Sequence, residues 1–68
     1  MRQQLGKRIK QLREERGLSQ RKFSLMIGMD RSYLISVEGG KRNVAVDNLN
    51  KIARGLDVSL SELFDGVK

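Results

Sequence analysis

Between Arg31 and Asn43 the chain gathers side chains that suit hydrogen bonding and charge pairing, not bond making. Arg31 offers a planar fork of donors, Ser32 and Ser36 offer short hydroxyls, and Tyr33 offers a phenol; Lys41, Arg42 and Asn43 follow closely. Such groups are suited to the edges of nucleic-acid bases. The chemistry they lack is equally informative. With no histidine and no cysteine anywhere in 68 residues, the usual nitrogen and sulfur metal ligands are absent, as are the commonest catalytic base and the thiol nucleophile. An enzyme is not expected, and neither is a cofactor, a metal or a small-molecule ligand.

Two short helical patterns carry these residues, joined by a tight turn at Gly28. The first has Ser19 as N-cap and runs over about Gln20 to Ile27, with Leu18 and Phe23 at staple positions and Phe23 and Ile27 on its buried face. Lys22 stands where a capping-box acid would reach back, which leaves Arg21 and Lys22 as positive charge beside the helix start. That suits a phosphate neighbour. Gly28 can take positive φ, and Asp30 or Ser32 can cap the second helix, about Arg31 to Glu38. Leu34 and Val37 face inward there, leaving Arg31, Ser32, Ile35 and Ser36 outside and Tyr33 at the edge.

The flanking segments must hold this pair. Leu5, Ile9 and Leu12 recur at i, i+4 and i+7, predicting a helix from about Gln3 to Arg16 that Gly17 closes; Arg13 falls at the edge of its apolar stripe, where partial burial is expected. After Gly39 and Gly40, Val44 to Val46 lead into a fourth helix, about Asp47 to Leu56, with a stripe of Leu49, Ile52, Ala53 and Leu56. Ser59 and Glu62 make a capping box for a last short helix containing Leu60, Leu63 and Phe64. The expected fold is all-α, five short helices with no strand, forming a single domain over 1–68 with the helix-turn-helix at about 19–38. Its core is Leu5, Ile9, Leu12, Phe23, Leu34, Val37, Leu49, Ile52 and Leu56.

The net charge of +6 is unevenly spread. Residues 1–22 hold eight Lys/Arg against two Glu, whereas residues 44–68 hold three against four acids, so the front is basic and the back slightly acidic. A one-sided basic field attracts phosphate backbones and leaves the other side for a different task. The start, MRQQLGKR, has no apolar stretch of signal-peptide type, and no run approaches the roughly 18 apolar residues of a membrane span, so a cytoplasmic location is expected.

LSQRKFSLMIGMDRSYLISVEGGKRN resembles the helix-turn-helix of phage Cro and repressor proteins, the lambda-repressor-like (XRE-type) family. LGKRIKQLREERGLSQ before it and LNKIARGLDVSLSELF after it are similar to that family's first, fourth and fifth helices, so the likeness runs from Leu5 to Phe64. Within the family, DRSYLISVEGGKRNVAVDNL looks most like the controller proteins of restriction-modification systems. The resemblance implies a bacterial or phage origin and a recognition helix lying in the major groove of double-stranded DNA. It implies base readout by Arg31, Ser32, Tyr33 and Ser36, with Gln20, Arg21, Lys22, Lys41, Arg42 and Asn43 on the backbone. Arg42 is also within the family's range of base contacts. It further implies an ion pair of Arg13 with Glu38, tying the first helix to the recognition helix.

One short recognition helix reads few bases, and the family's usual solution is a symmetric dimer on a palindromic operator. Val44, Val46, Leu60, Phe64 and Val67 are the apolar residues available for the dimer surface. The expected function is a dimeric transcriptional regulator that blocks RNA polymerase or contacts it from an adjacent site. An antitoxin or mobile-element repressor is the alternative within the same chemistry. Four positions depart from the family pattern. Ser24 replaces a preferred alanine and needs its hydroxyl bonded back to a carbonyl. Ala45 replaces a common polar N-cap. Leu25 and Met26 stand where polar residues are usual, and they motivate a different alternative, a protein-interaction module docking there.

Overall fold

The computed structural model describes residues 2–67, in which five helices follow one another without a strand: α1 Arg2–Glu15, α2 Gln20–Ile27, α3 Arg31–Glu38, α4 Val46–Leu56 and α5 Leu60–Leu63. Local chemistry sets most of the boundaries. Gly17 takes φ 67° after α1. Ser19 accepts a hydrogen bond from the Lys22 amide at 3.0 Å to open α2, and Gly28 ends it in the left-handed region while the Met29 amide donates to the Ser24 carbonyl at 2.9 Å. Of the two candidate caps for α3, Asp30 performs the task, accepting from the Ser32 amide at 2.9 Å. Ser59 and Glu62 form the full capping box of α5.

Three expectations are adjusted. Helix α1 spans Arg2–Glu15, one residue earlier at each end than the periodicity indicates, within the fraying of a helix terminus. Helix α4 begins at Val46, not Asp47; Ala45 occupies the N-cap in extended conformation and supplies no side-chain bond, so the helix starts without a polar cap. Leu49 is only half-buried at the rim of the core, because it lies in the first turn of α4, ahead of the buried Ile52, Ala53 and Leu56, whereas Ala53 and Leu63 are buried.

The core gathers one stripe from each helix: Ile9, Phe23, Leu34, Ile52, Leu56 and Leu63 are wholly buried, with Leu5, Leu12 and Val37 beside them. Each such side chain contributes about 1.5–3 kcal/mol of apolar burial. Close approach matters as much as stripe chemistry at Gly6, which is buried in α1. A Cβ there would meet the Val37 carbonyl oxygen and lie 2.6 Å from the Glu38 carbonyl oxygen, so the backbones of α1 and α3 touch where no larger residue fits. Ser24 is buried as well, and its hydroxyl donates to the Arg21 carbonyl at 2.9 Å, the backward bond its position requires. No helix among the described residues is long and apolar enough to cross a membrane.

Candidate nucleic-acid interface

Helix α3 presents two faces of opposite character. Inward, Leu34 and Val37 enter the core, and Glu38 is buried at the helix end. There the Arg13 Nε donates to Glu38 Oε2 at 2.7 Å and its Nη2 to Oε1 at 3.0 Å, a two-pronged pair whose side chains are 7% and 3% exposed. The third guanidinium nitrogen, Nη1, donates to the Leu18 carbonyl at 2.6 Å, and the Gln20 amide nitrogen donates to Glu38 Oε1 at 3.1 Å. One arginine therefore binds the end of α1, the entry to α2 and the end of α3. The hydrogen bond to Glu38 is the main influence raising the Arg13 pKa above its ordinary value; burial opposes it more weakly. Desolvating two charges is costly, and the pair holds because the surrounding hydrogen bonds satisfy both partners.

Outward, Arg31 and Ser32 are exposed in the first turn of α3, Ile35 is exposed one turn on, and Tyr33 and Ser36 are half-buried. The Ser36 hydroxyl donates to the Ser32 carbonyl at 2.9 Å, which directs its remaining acceptor capacity outward. Lys41, Arg42 and Asn43 follow in an exposed loop, and the Lys41 amide returns to the Ser36 carbonyl at 3.0 Å. Gly40, at φ 72°, lets that loop press on the start of α1: a Cβ there would sit 2.9 Å from the Gln3 Cα. The loop is thus seated against the scaffold. Arg21 and Lys22 lie exposed at the first turn of α2.

Two features of this face carry no local signal in sequence. The Arg42 guanidinium lies 5.1 Å from the centroid of the Tyr33 ring, a cation–π contact worth about 0.5–1 kcal/mol at an exposed site. Asn48, in the first turns of α4, shares a shallow hollow with Ser32, Tyr33, Ser36 and Arg42, adding an amide donor and acceptor beside the recognition helix. Gln20 is half-buried and turns its amide nitrogen to Glu38, which leaves its side-chain oxygen outside that bond, beside the exposed Arg21 and Lys22.

The apolar residues expected at a dimer surface divide into two kinds. Val46 and Leu60 are 66% and 40% exposed, whereas Val44, Phe64 and Val67 are partly buried against the core and offer only their outer edges. Arg8 ties α1 to α5 in this half, donating through Nη2 to the Glu62 carbonyl at 2.9 Å.

Known proteins share this fold. The control protein C.MunI from Mycoplasma sp is 48% identical over 64 residues, spanning 93% of this chain and 86% of that protein. The crystal structure of the restriction-modification controller protein C.AhdI from Aeromonas hydrophila superposes with a TM-score of 0.88 at 44% identity, covering 91% of this chain and 94% of that one. The controller protein C.Esp1396I, solved as a tetramer in complex with its natural 35-base-pair operator, superposes with a TM-score of 0.84 at 30% identity over 94% and 84% of the two chains. The helix-turn-helix family matches residues 9–63, taking in the α2–α3 pair and also the helices that lock it from behind. The likeness therefore extends to the complete supporting unit, and this chain belongs to the helix-turn-helix family.

Proposed function

We propose that this protein is a sequence-specific double-stranded DNA-binding transcriptional regulator, a restriction-modification controller of the kind to which its relatives belong. The observation that carries this reading is the outward face of α3, where Arg31, Ser32, Tyr33 and Ser36 stand beside the Arg42 loop while the opposite face is locked by Arg13 and Glu38. An exposed guanidinium in the first turn of a helix pinned at its other end is free to fork onto guanine O6 and N7. Ser32 and Ser36 approach bases closely, and Tyr33 steers Arg42 through its ring. Arg21, Lys22, Lys41 and Asn43 take phosphates and set register, with Gln20 bracing from behind through Glu38.

The protein binds as a dimer through the Val46 and Leu60 surface, bordered by Val44, Phe64 and Val67, on a palindrome whose half-sites lie about one helical turn apart. From such a site it excludes RNA polymerase or, when bound beside the promoter, contacts it. Selection from a randomised DNA library, with the tightest sites retested across a salt series, tests this. A palindromic consensus with affinity falling steeply as salt rises is expected. Recovery of no consensus, together with weak binding that disappears at moderate salt, would reduce the basic face to a nonspecific electrostatic surface.

A further inference from the structure

Helix α2 has a second face that DNA chemistry does not use. Leu25 is 73% exposed and Met26 54% exposed, side by side on a helix whose other apolar residues, Phe23 and Ile27, are turned inward. Leu25 stands in the wall of a shallow hollow shared with Arg21 and Lys22; Met26 stands in the wall of another, shared with Lys51 and Arg54. Neither hollow has a carboxylate in its wall. The floor of the second is shallow because Gly55 brings α4 close to α2: a Cβ there would meet Ile27 and come within 2.9 Å of the Phe23 ring. The result is an apolar ridge with cations on both flanks.

We infer that this ridge docks an acidic amphipathic helix of a partner protein. Apolar side chains of that helix cover Leu25 and Met26, and its carboxylates reach Lys51 and Arg54, the flank away from the α2 start. Phosphates cannot be the occupant of the ridge itself, since they offer nothing to a leucine and a methionine. A second copy of this chain, meeting the ridge head-to-tail with its own Val46 and Leu60, would close into a ring or grow into a filament, and in either case would bring another molecule of net charge +6 against the same cations. A separate acidic helix satisfies both the apolar ridge and its cationic borders. The inference does not depend on the DNA-binding reading, because none of Leu25, Met26, Lys51 and Arg54 is assigned to DNA.

The test is a methyl-detected NMR titration of the full chain with a stapled helical peptide, acetyl-DELEELLEDLLEEL-amide, beside a version in which every acid is replaced by its amide. The acidic peptide is expected to shift the Leu25 and Met26 methyl signals saturably and to bind about tenfold more tightly than the amide version. Leu25→Gln with Met26→Gln should weaken it about tenfold or more, and Lys51→Glu with Arg54→Glu should weaken it by a similar factor, about tenfold. All four residues are exposed, so folding is retained, as an unchanged circular dichroism melt would verify. The inference is overturned by the absence of saturable shifts up to about 1 mM peptide, or by equal binding of the two peptides. Concentration-dependent self-association, as rings or filaments, that vanishes in the Leu25→Gln, Met26→Gln variant would overturn it too, identifying a second copy as the occupant. The titration contains no DNA, so its failure and a failure of the DNA-binding reading are observed separately.

Discussion

The two ends of α3 show how one eight-residue helix is both fixed and free. At Glu38 every polar group in reach is paired: two bonds from Arg13, one from Gln20, and the third arm of Arg13 on Leu18. At Arg31 the side chain is exposed, and the helix start is held by the Asp30 cap. Polar residues of the same types therefore do opposite work according to burial. The closed end defines where the helix sits, and the open end is available to meet something else. The difference predicts that substitutions at one end cost stability and substitutions at the other cost recognition.

The largest effect is expected at the closed end. Glu38→Ala strands the Arg13 guanidinium in a buried site and should lower unfolding stability by about 3–5 kcal/mol, a severe loss for so small a core. Urea denaturation reads this directly, and the comparison breaks if the loss is no greater than at an exposed position. Replacing both partners, Arg13→Met with Glu38→Leu, should recover much of the loss, because the cost arises from the orphaned charge.

An intermediate effect is expected at the open end. Arg31→Ala should leave the denaturation midpoint unchanged while reducing discrimination for guanine at its base step by about 1–3 kcal/mol. Binding measured on operators altered at single positions would sharpen the contrast if the loss is confined to one base pair of each half-site. A uniform loss over all sequences would instead move Arg31 to a backbone role.

The smallest effect belongs to α5, where Glu62 closes its capping box in full exposure to solvent. The amide of Ser59 donates to Glu62 at 3.0 Å, and this bond, reinforced by the Ser59 hydroxyl, holds the carboxyl below its ordinary pKa. A carboxyl whose pKa is lowered on folding stabilises the fold above its ordinary value and loses that contribution as pH falls through it and below. The melting temperature should therefore decline slightly from about pH 5 to about pH 3, and Glu62→Gln, which keeps a capping side chain without a titration, should flatten that part of the decline.

Sequence reading reached the fold through signals that act within a few residues. Ser19, Gly28, Asp30, Ser59 and the stripe of Leu5, Ile9 and Leu12 each specify a boundary or a face locally, which is why the helix limits fall within a residue or so of the periodicity. The missing cap at Ala45 is legible in the sequence, yet α4 starts at Val46 without it, since burial of Ile52, Ala53 and Leu56 holds the helix. What stayed hidden depends on distant parts meeting. Gly6 reads as a neutral interruption of a helix until the α3 carbonyls arrive against it. The turn of Gln20 toward Glu38, the stacking of Arg42 on Tyr33 and the arrival of Asn48 beside α3 require the packed fold, because no spacing along the chain encodes them.

The exposure of Arg31 and Ser32, away from the packed face of α3, has a consequence for how such proteins change over generations. Drift at Arg31 or Ser32 is invisible to folding, so it escapes the purge that removes unstable variants. Two copies of a gene of this kind in one genome would part company in the target they answer to long before either lost its shape.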